Sequence, residues 1–188
     1  MMINETRILN EFIELVSVPC PSKDEKAEAD LLVQKLQAMG LEVKVDDAGR
    51  KIGGTTGNVW AFLPGNVEGA AGLFFEAHMD SVPPTTGTKV VRRDGVLYSD
   101  GTTTLGGDDK VGIAAVLEAV GPCRSRISRM AISSCVLRLP KRSVVWEWSI
   151  LTRRISGLIS VIAWISVVRP VSLRTLRRCV RYLFYSQR

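Results

Sequence analysis

The sequence predicts an α/β fold for the first 120 of its 188 residues, and three observations predict it. Apolar side chains recur at helical spacing in separate segments, short runs rich in Val, Leu and Phe lie between these segments, and a hairpin signal follows them. Because helices, strands and a hairpin alternate along the chain, we expect a sheet with a buried central strand and helices packed against it.

Three helices are predicted in this part of the chain. The first carries apolar residues at helical spacing over 8–16, and Asn4 is placed to cap its start. The second opens with Ser22-Lys23-Asp24-Glu25, which fits a capping box, and ends at Gly40. The third covers 111–119 and follows a glycine-rich stretch.

The strands are predicted from alternation, from apolar runs and from turn residues. Leu41, Val43 and Val45 alternate with polar residues, which is typical of a half-buried strand. The run 73–77 is nearly all apolar and suits a central strand that is buried on both faces. The remaining predicted strands are 58–63, which ends at Pro64-Gly65, and a hairpin pair, 90–91 and 96–98, around the turn Arg93-Asp94-Gly95.

His78, the only histidine in the chain, follows the predicted central strand directly, and Asp80 comes two residues later. In open α/β sheets, ligands collect beyond the carboxyl ends of the strands. Asp80 can accept the spare ring N–H of a metal-bound imidazole, which fixes the tautomer of the ring. A His-x-Asp tripeptide also fits a single histidine with an ordinary hydrogen bond, so by itself it leaves both interpretations open.

A second polar segment, 99–110, places Asp108 and Asp109 between two glycines and a predicted helix start. Carboxylates at a helix N-terminus are favourable because of the helix dipole alone. A carboxylate with both oxygens free can instead bridge two metal ions about 3.5–4 Å apart. Gly106 and Gly107 would let the backbone approach such a site closely.

Together, the segments Phe75–Val82 and Ser99–Lys110 resemble the peptidase T branch of the co-catalytic zinc exopeptidases. That superfamily also contains carboxypeptidase G-like enzymes, aminoacylases and dipeptidases, and the resemblance covers roughly residues 5–120. It implies the N-terminal part of a catalytic domain with a mixed sheet flanked by helices. It also implies a zinc-dependent aminopeptidase that removes N-terminal residues from short peptides.

The same resemblance implies a role for each matched site residue. His78 would ligate one of two Zn²⁺ ions, Asp108 would bridge both ions, and Asp80 would serve catalysis by orienting His78. The peptide bond between Asp108 and Asp109 would be strained, of the kind that can be cis.

The family's site needs further residues that the rest of this sequence does not supply. They are a Glu-Glu pair, an Asp and a second His, which provide three ligands and the catalytic base. From Gly121 onward the sequence has no Asp, no His and one Glu, Glu147. Zinc sites in proteins use three or four protein ligands, so His78 and Asp108 are an incomplete set and we expect a catalytically incomplete chain.

The composition changes abruptly near Gly121. Residues 1–120 hold 18 acidic and 11 basic residues, whereas residues 121–188 hold one acidic and 14 basic residues, of which only Lys141 is lysine. We therefore divide the chain into 1–120, the N-terminal half of a zinc peptidase catalytic domain, and 121–188, a basic tail without a domain of its own. We expect this tail, with its unpatterned apolar residues, to be poorly ordered.

The genetic code suggests why the tail lacks the missing ligands. If each codon is started at the third base of the preceding one, Pro140, Lys141 and Arg142 can yield Glu-Glu. Trp164 followed by Ile165 must then yield GAT, an Asp, which lies 23 residues after the second glutamate, close to the family's spacing. We therefore hypothesise that the residues after about 120 are a frameshifted translation of a peptidase gene that ends early at Arg188.

Two other interpretations of the tail compete with the frameshift. The run 155–168 is mostly apolar but is shorter than the roughly 20 residues that a membrane span needs. Arg177, Arg178 and Arg181 stand near Tyr182 and Phe184, a mixture that could bind nucleic acid. Neither interpretation accounts for the zinc motifs, so we expect no membrane and no nucleic-acid partner. For the whole chain, a non-catalytic binding or structural remnant is the alternative to an enzyme.

The N-terminus and the cysteines indicate the compartment. Residues 1–10 lack the basic-then-apolar layout of a signal peptide. Cys20, Cys123, Cys135 and Cys179 show no paired spacing, so we expect free thiols and a cytoplasmic protein. The sequence carries no signal for an oligomeric state.

Overall fold

The computed structural model describes residues 4–64, 72–125, 133–138, 158–160 and 171–172. Helices and strands alternate along the chain, as the sequence predicts. The helices are α1 (Glu5–Ser17), α2 (Lys26–Ala38), α3 (Ala48–Ile52) and α4 (Gly107–Ser125). The strands are β1 (Glu42–Val45), β2 (Val59–Leu63), β3 (Gly72–His78), β4 (Val90–Arg93), β5 (Val96–Ser99), β6 (Ser133–Arg138), β7 (Leu158–Ser160) and β8 (Val171–Ser172).

The larger sheet is mixed and has the strand order β1-β2-β6-β3-β7. The pairs β1–β2 and β2–β6 are antiparallel, whereas β3 pairs in parallel with both β6 and β7. The predicted central strand is therefore confirmed, because β3 has a neighbour on each side. Strand β3 runs parallel to both neighbours, and ligands commonly bind beyond the carboxyl ends of such strands in α/β sheets.

The smaller sheet has the order β4-β5-β8 and contains the predicted hairpin. Asp94 and Gly95 connect β4 to β5, with φ of 50° and 74°. A two-residue turn with two positive φ angles matches the right-handed twist of the strands, and an Asp-Gly pair tolerates those angles. The sequence signal for the hairpin is confirmed by this geometry.

Helices α1 and α4 pack together and bury the apolar face that the sequence predicts for α1. Phe12 is fully buried in that face. The Asn4 side chain accepts the Arg7 backbone N–H at 3.0 Å, which confirms the predicted cap. Arg7 also donates to both carboxylate oxygens of Glu118 in α4, at 2.6 and 2.7 Å. This bidentate pair joins the start of α1 to the middle of α4.

Two local predictions are wrong. The segment 22–25 is not a capping box, because α2 begins at Lys26 and no side chain caps it. Val45 is 47% exposed, so β1 does not bury alternate side chains as expected. The reason is that β1 is an edge strand of the larger sheet, and Leu41, just before it, is the residue that enters the core.

The loop between β1 and β2 contains a helix and a hydrogen-bond centre that the sequence analysis missed. Asp46 Oδ1 accepts the backbone N–H groups of Ala48 and Asn58, at 3.0 and 2.8 Å. Its Oδ2 accepts the Asn58 side-chain amide and the Trp60 indole N–H, both at 2.8 Å. Burial alone would raise the pKa of Asp46, but these hydrogen bonds outweigh burial and lower it.

Within the part of the chain that the structure describes, the apolar core contains a fully buried ion pair. Lys110 Nζ in α4 lies 2.6 Å from Glu28 Oε1 in α2, and both side chains are at most 1% exposed. Burial raises the pKa of Glu28, and the adjacent Lys110 ammonium opposes that rise. The pair therefore ties α2 to the first turns of α4 inside the core.

Part of the basic tail contributes strands to both sheets. Helix α4 continues to Ser125, past the boundary predicted near residue 120, and β6, β7 and β8 pair with strands of the first 120 residues. The segment 177–184, and the run 155–168 apart from β7, lie outside the described residues. No helix in the part of the chain that the structure describes is long and apolar enough to cross a membrane.

We predict that Asp46 makes stability depend on pH. Its lowered pKa means that it stabilises the fold fully above the ordinary aspartate value of about 4, and that this contribution is lost as the pH falls through the lower folded value. Asp46→Asn should reduce the free energy of unfolding at neutral pH by about 1–3 kcal/mol. Urea denaturation at several pH values measures both effects.

The exposed neighbour Asp47 provides the control for this measurement, since its side chain does not cap α3. Asp47→Asn should change the free energy of unfolding by less than about 0.5 kcal/mol. An acid-induced loss of stability that is the same in Asp46→Asn and in the parent chain would contradict the prediction.

We predict that removing one partner of the buried Glu28–Lys110 pair lowers the free energy of unfolding strongly, whereas replacing both partners by apolar residues lowers it much less. Lys110→Met leaves Glu28 buried without its cation and should reduce the free energy of unfolding by about 3–5 kcal/mol. Adding Glu28→Leu should recover most of that loss. Lys26→Met, which removes an exposed partner of Asp30, should cost at most about 1 kcal/mol. Equal losses in Lys110→Met and Lys26→Met, measured by chemical denaturation, would refute this.

Candidate metal site

The candidate site lies where the carboxyl end of β3 meets the start of α4. His78 is the last residue of β3, and Asp108 is the second residue of α4. His78 Nε2 lies 3.3 Å from Asp108 Oδ1, although the two residues are 30 positions apart in the chain. The structure therefore brings together the two residues that the sequence assigns as metal ligands.

Asp80 lies on the other side of the His78 ring. Its Oδ1 and its own backbone carbonyl oxygen are each 3.1 Å from His78 Nδ1. Both of these atoms can only accept, so in the neutral ring the proton belongs on Nδ1. The Nε2 lone pair then faces Asp108, and a cation or a proton between the two atoms would satisfy both.

The electrostatics of the site favour such a cation. Burial alone would lower the pKa of His78, but the hydrogen bond with Asp80 and the negative charges of Asp109, Asp80 and Asp108 outweigh burial and raise it. The carboxylates thus stabilise a positive charge at the imidazole.

The spacing of His78 and Asp108 also fits a shared metal ion. Two ligand atoms about 2.0–2.1 Å from one tetrahedral zinc ion lie about 3.3 Å apart, which is the distance observed between His78 Nε2 and Asp108 Oδ1. Among the residues described, no group of three or more His, Cys, Asp or Glu side chains is placed to hold a metal. The described part of the chain therefore offers two fitting ligands and an orienting carboxylate.

The adjacent carboxylates of Asp108 and Asp109 point in different directions and have different partners. The peptide bond between them is cis, as the resemblance implies. Asp109 Oδ1 accepts the Gly112 backbone N–H at 3.2 Å, so this side chain turns back onto α4. A Cβ at position 112 would lie 2.5 Å from Asp109 Oδ1, which explains the glycine there. Asp109, whose backbone angles are not helical, thus caps the helical turns of α4 that follow it, whereas Asp108 faces His78.

The loop after β3 and the loop before α4 contact each other. Thr104 Oγ1 donates to the carbonyl oxygens of Val82 and Pro84, at 2.6 and 3.2 Å. Gly106 has φ of 69°, and a Cβ there would lie 3.0 Å from Ser81 Oγ. Glycine adopts this positive φ without strain, and its lack of a side chain leaves room for Ser81 where the loop before α4 meets the loop after β3.

A third segment, Cys20-Pro21-Ser22, also contacts the loop after β3. The sequence did not predict that this segment belongs to the site. The Ser22 hydroxyl donates to Asp80 Oδ2 at 2.5 Å. Cys20 is buried and unpaired, as the sequence predicts for its thiol, and burial raises its pKa to about 12. The only sequence signal was the serine itself, which the pattern assigned to a helix cap.

The side chains of the other three cysteines, Cys123, Cys135 and Cys179, lie outside the described residues, as do Lys141 and Trp164.

Comparison with known proteins gives relatives for this half of the fold. No protein-family model matches the chain. The chain is 40% identical over 119 residues to the uncharacterized protein YqjE of Bacillus subtilis, covering 63% of this chain and 32% of that relative. It is 32% identical over 137 residues to peptidase T of Geobacillus kaustophilus, covering 54% of this chain and 31% of that relative. The chain thus spans about a third of the length of these curated relatives.

The fold matches a solved aminopeptidase. The structure superposes on the aminopeptidase PepT of Bacillus cereus with a TM-score of 0.78 and 34% sequence identity, over 85% of this chain and 43% of that one. The mixed sheet and its helices correspond to the N-terminal portion of the peptidase domain. Over the part that it covers, the chain is similar in both sequence and fold to peptidases of the peptidase T type.

Proposed function

We propose that this chain derives from a zinc-dependent aminopeptidase that acts on short peptides, and that in its present form it holds one half of the two-zinc site. The observation that carries the proposal is the 3.3 Å approach of His78 Nε2 to Asp108 Oδ1 at the carboxyl end of β3. The likeness to proteins named peptidase T and aminopeptidase PepT supports the reaction type.

Each residue of this half-site has a defined task in the proposal. His78 would hold one zinc ion through Nε2, and the Asp108 carboxylate would hold that ion together with a second one. Asp80 accepts the proton on His78 Nδ1, which holds the ring in the tautomer that can bind metal. Asp109 keeps the start of α4 in place through Gly112. When bound, the zinc ions polarise the scissile carbonyl and acidify water.

The proposal also covers the division of the chain. Residues 1–120 form the N-terminal half of the catalytic domain, and residues 121–188 are a translation in a shifted reading frame. The support is the loss of acidic residues after Gly121 and the Glu-Glu and Asp codons that one shifted frame yields at the family's spacing. In the intact frame those residues would supply the base and two of the three missing ligands.

We place this activity in the cytoplasm. The buried and unpaired Cys20 thiol suits a reducing compartment. A short peptide would be the only partner that the reaction requires.

We predict weak zinc binding that depends on the half-site. Asp80→Asn should weaken zinc binding by about 10–100-fold, because it removes the carboxylate behind His78, and His78→Ala should weaken it further. Competition with a chromophoric chelator measures the affinities. Asp94→Asn, which removes an exposed carboxylate in the hairpin turn, is the control and should leave the affinity unchanged. Equal zinc affinity in the parent and in His78→Ala would contradict the assignment of His78.

We also predict that activity follows the reading frame. The chain as it stands should release no amino acids from short peptides in the presence of zinc. A gene that is returned to the alternative frame near codon 121 should encode a protein that does, and a chelator or His78→Ala should abolish that release. Free amino acids can be quantified by chromatography.

Either of two results would overturn parts of this view. Amino-acid release by the present chain, abolished by His78→Ala, would show that the chain is not incomplete. An inactive frame-restored protein that still binds no zinc would favour a non-catalytic remnant.

A further inference from the structure

The segment Cys20-Pro21-Ser22, between α1 and α2, lies alongside the loop that follows β3. Pro21 and Ser81 form an isolated parallel bridge, and the Ser81 backbone N–H donates to the Cys20 carbonyl oxygen at 2.8 Å. The Cys20 thiol donates to the Met79 carbonyl oxygen, with an S···O distance of 3.2 Å. The residues immediately before and after Asp80 are therefore both held by this one segment.

Ser22 adds a contact to Asp80 itself. Its hydroxyl donates to Asp80 Oδ2 at 2.5 Å, whereas Asp80 Oδ1 lies 3.1 Å from His78 Nδ1. The two oxygens of a single buried carboxylate are thus divided between Ser22 and His78. A hydroxyl-to-carboxylate bond of this length is of the strong, charge-assisted kind.

This division restricts how the Asp80 carboxylate can turn. Rotation of the carboxylate would carry Oδ1 away from His78 Nδ1, and it would also break the bond from Ser22. The Asp80 carbonyl oxygen also accepts from Nδ1, so the tautomer does not depend on Ser22 alone. The contribution of Ser22 is to keep the charged acceptor on the ring, and the charged acceptor makes the imidazole a stronger ligand.

A role in folding does not account for this contact. Helix α2 begins at Lys26, so the Ser22 hydroxyl does not cap it. Ser22 is also an exposed residue and contributes nothing to the buried apolar core.

We propose that Ser22 is a positioning residue of the metal site, holding the Asp80 carboxylate in the orientation in which it binds His78. The inference rests on the proposed function in so far as the imidazole is a zinc ligand. The arrangement of Ser22, Asp80 and His78 can nevertheless be measured without metal.

The single histidine of the chain makes this measurement unambiguous. In a chain labelled with ¹⁵N-histidine and free of metal, NMR reports the ring tautomer and the exchange of the Nδ1 proton with water. The spectra are recorded at an alkaline pH, at which the ring is neutral. Ser22→Ala should speed the exchange of that proton about tenfold, and Ser22→Thr, which keeps the hydroxyl, should restore the parent rate.

Ser17→Ala is the matched control. Ser17 is also exposed and also donates a short hydrogen bond, at 2.6 Å to the Ile13 carbonyl oxygen, but it does not contact the site. An exchange rate in Ser22→Ala equal to the parent's, or changed equally by Ser17→Ala, would overturn the proposal. Failure of Ser22→Ala to fold would overturn it too, because Ser22 would then be needed for the fold.

A zinc titration of the same variants separates this proposal from the proposed function. If the parent chain binds zinc, Ser22→Ala should bind it about three- to tenfold more weakly, a smaller effect than the loss of Asp80 itself. If the parent binds no zinc, the zinc assignment fails, and the exchange measurement still decides whether Ser22 positions Asp80.

Discussion

The approach of His78 to Asp108 is the constraint on which the rest of the site depends. His78 at the end of β3 and Asp108 at the start of α4 place a ring nitrogen and a carboxylate oxygen 3.3 Å apart, and the loops that connect these elements contact each other. Thr104 holds one loop to the other through the carbonyl oxygens of Val82 and Pro84. Gly106 adopts a positive φ in the second loop and leaves room there for the Ser81 side chain. The loop sequences therefore serve the geometry of the site.

Local patterns predicted most of the fold because the elements concerned satisfy their own hydrogen bonds. Helix α1, with its Asn4 cap, and the hairpin around Asp94 and Gly95 are specified by neighbouring residues. The exposure of Val45 could not be predicted in this way, since it depends on which strand of the sheet lies at the edge. Helix α3 was missed because the Asp46 carboxylate, through partners as far away as Trp60, organises that loop.

The same distinction between local patterns and long-range interactions applies to the residues of the site. His78, Asp80 and Asp108 were found because their spacing resembles a known motif. Ser22 was assigned to a helix cap because a serine before a helix usually serves that purpose. Its partner, Asp80, is 58 residues away, and an interaction of that separation leaves no periodic pattern in the sequence. Residues that act through another side chain are for this reason the hardest part of a site to predict.

The half-site has a coherent structure without the ligands that the rest of a peptidase would supply, and electrostatics explain why. The carboxylates of Asp80, Asp108 and Asp109 surround one imidazole and raise its pKa in spite of burial, so His78 itself can carry the positive charge that a metal ion would bring. A proton on Nε2 would satisfy the facing Asp108 oxygen in the position where zinc would otherwise bind both. Zinc held by His78 and Asp108 would take the place of that proton, so metal binding would release a proton and weaken as the pH falls. The carboxylates that favour a metal ion at this site thus also favour a proton on His78, and the proton competes with the metal ion for the same position.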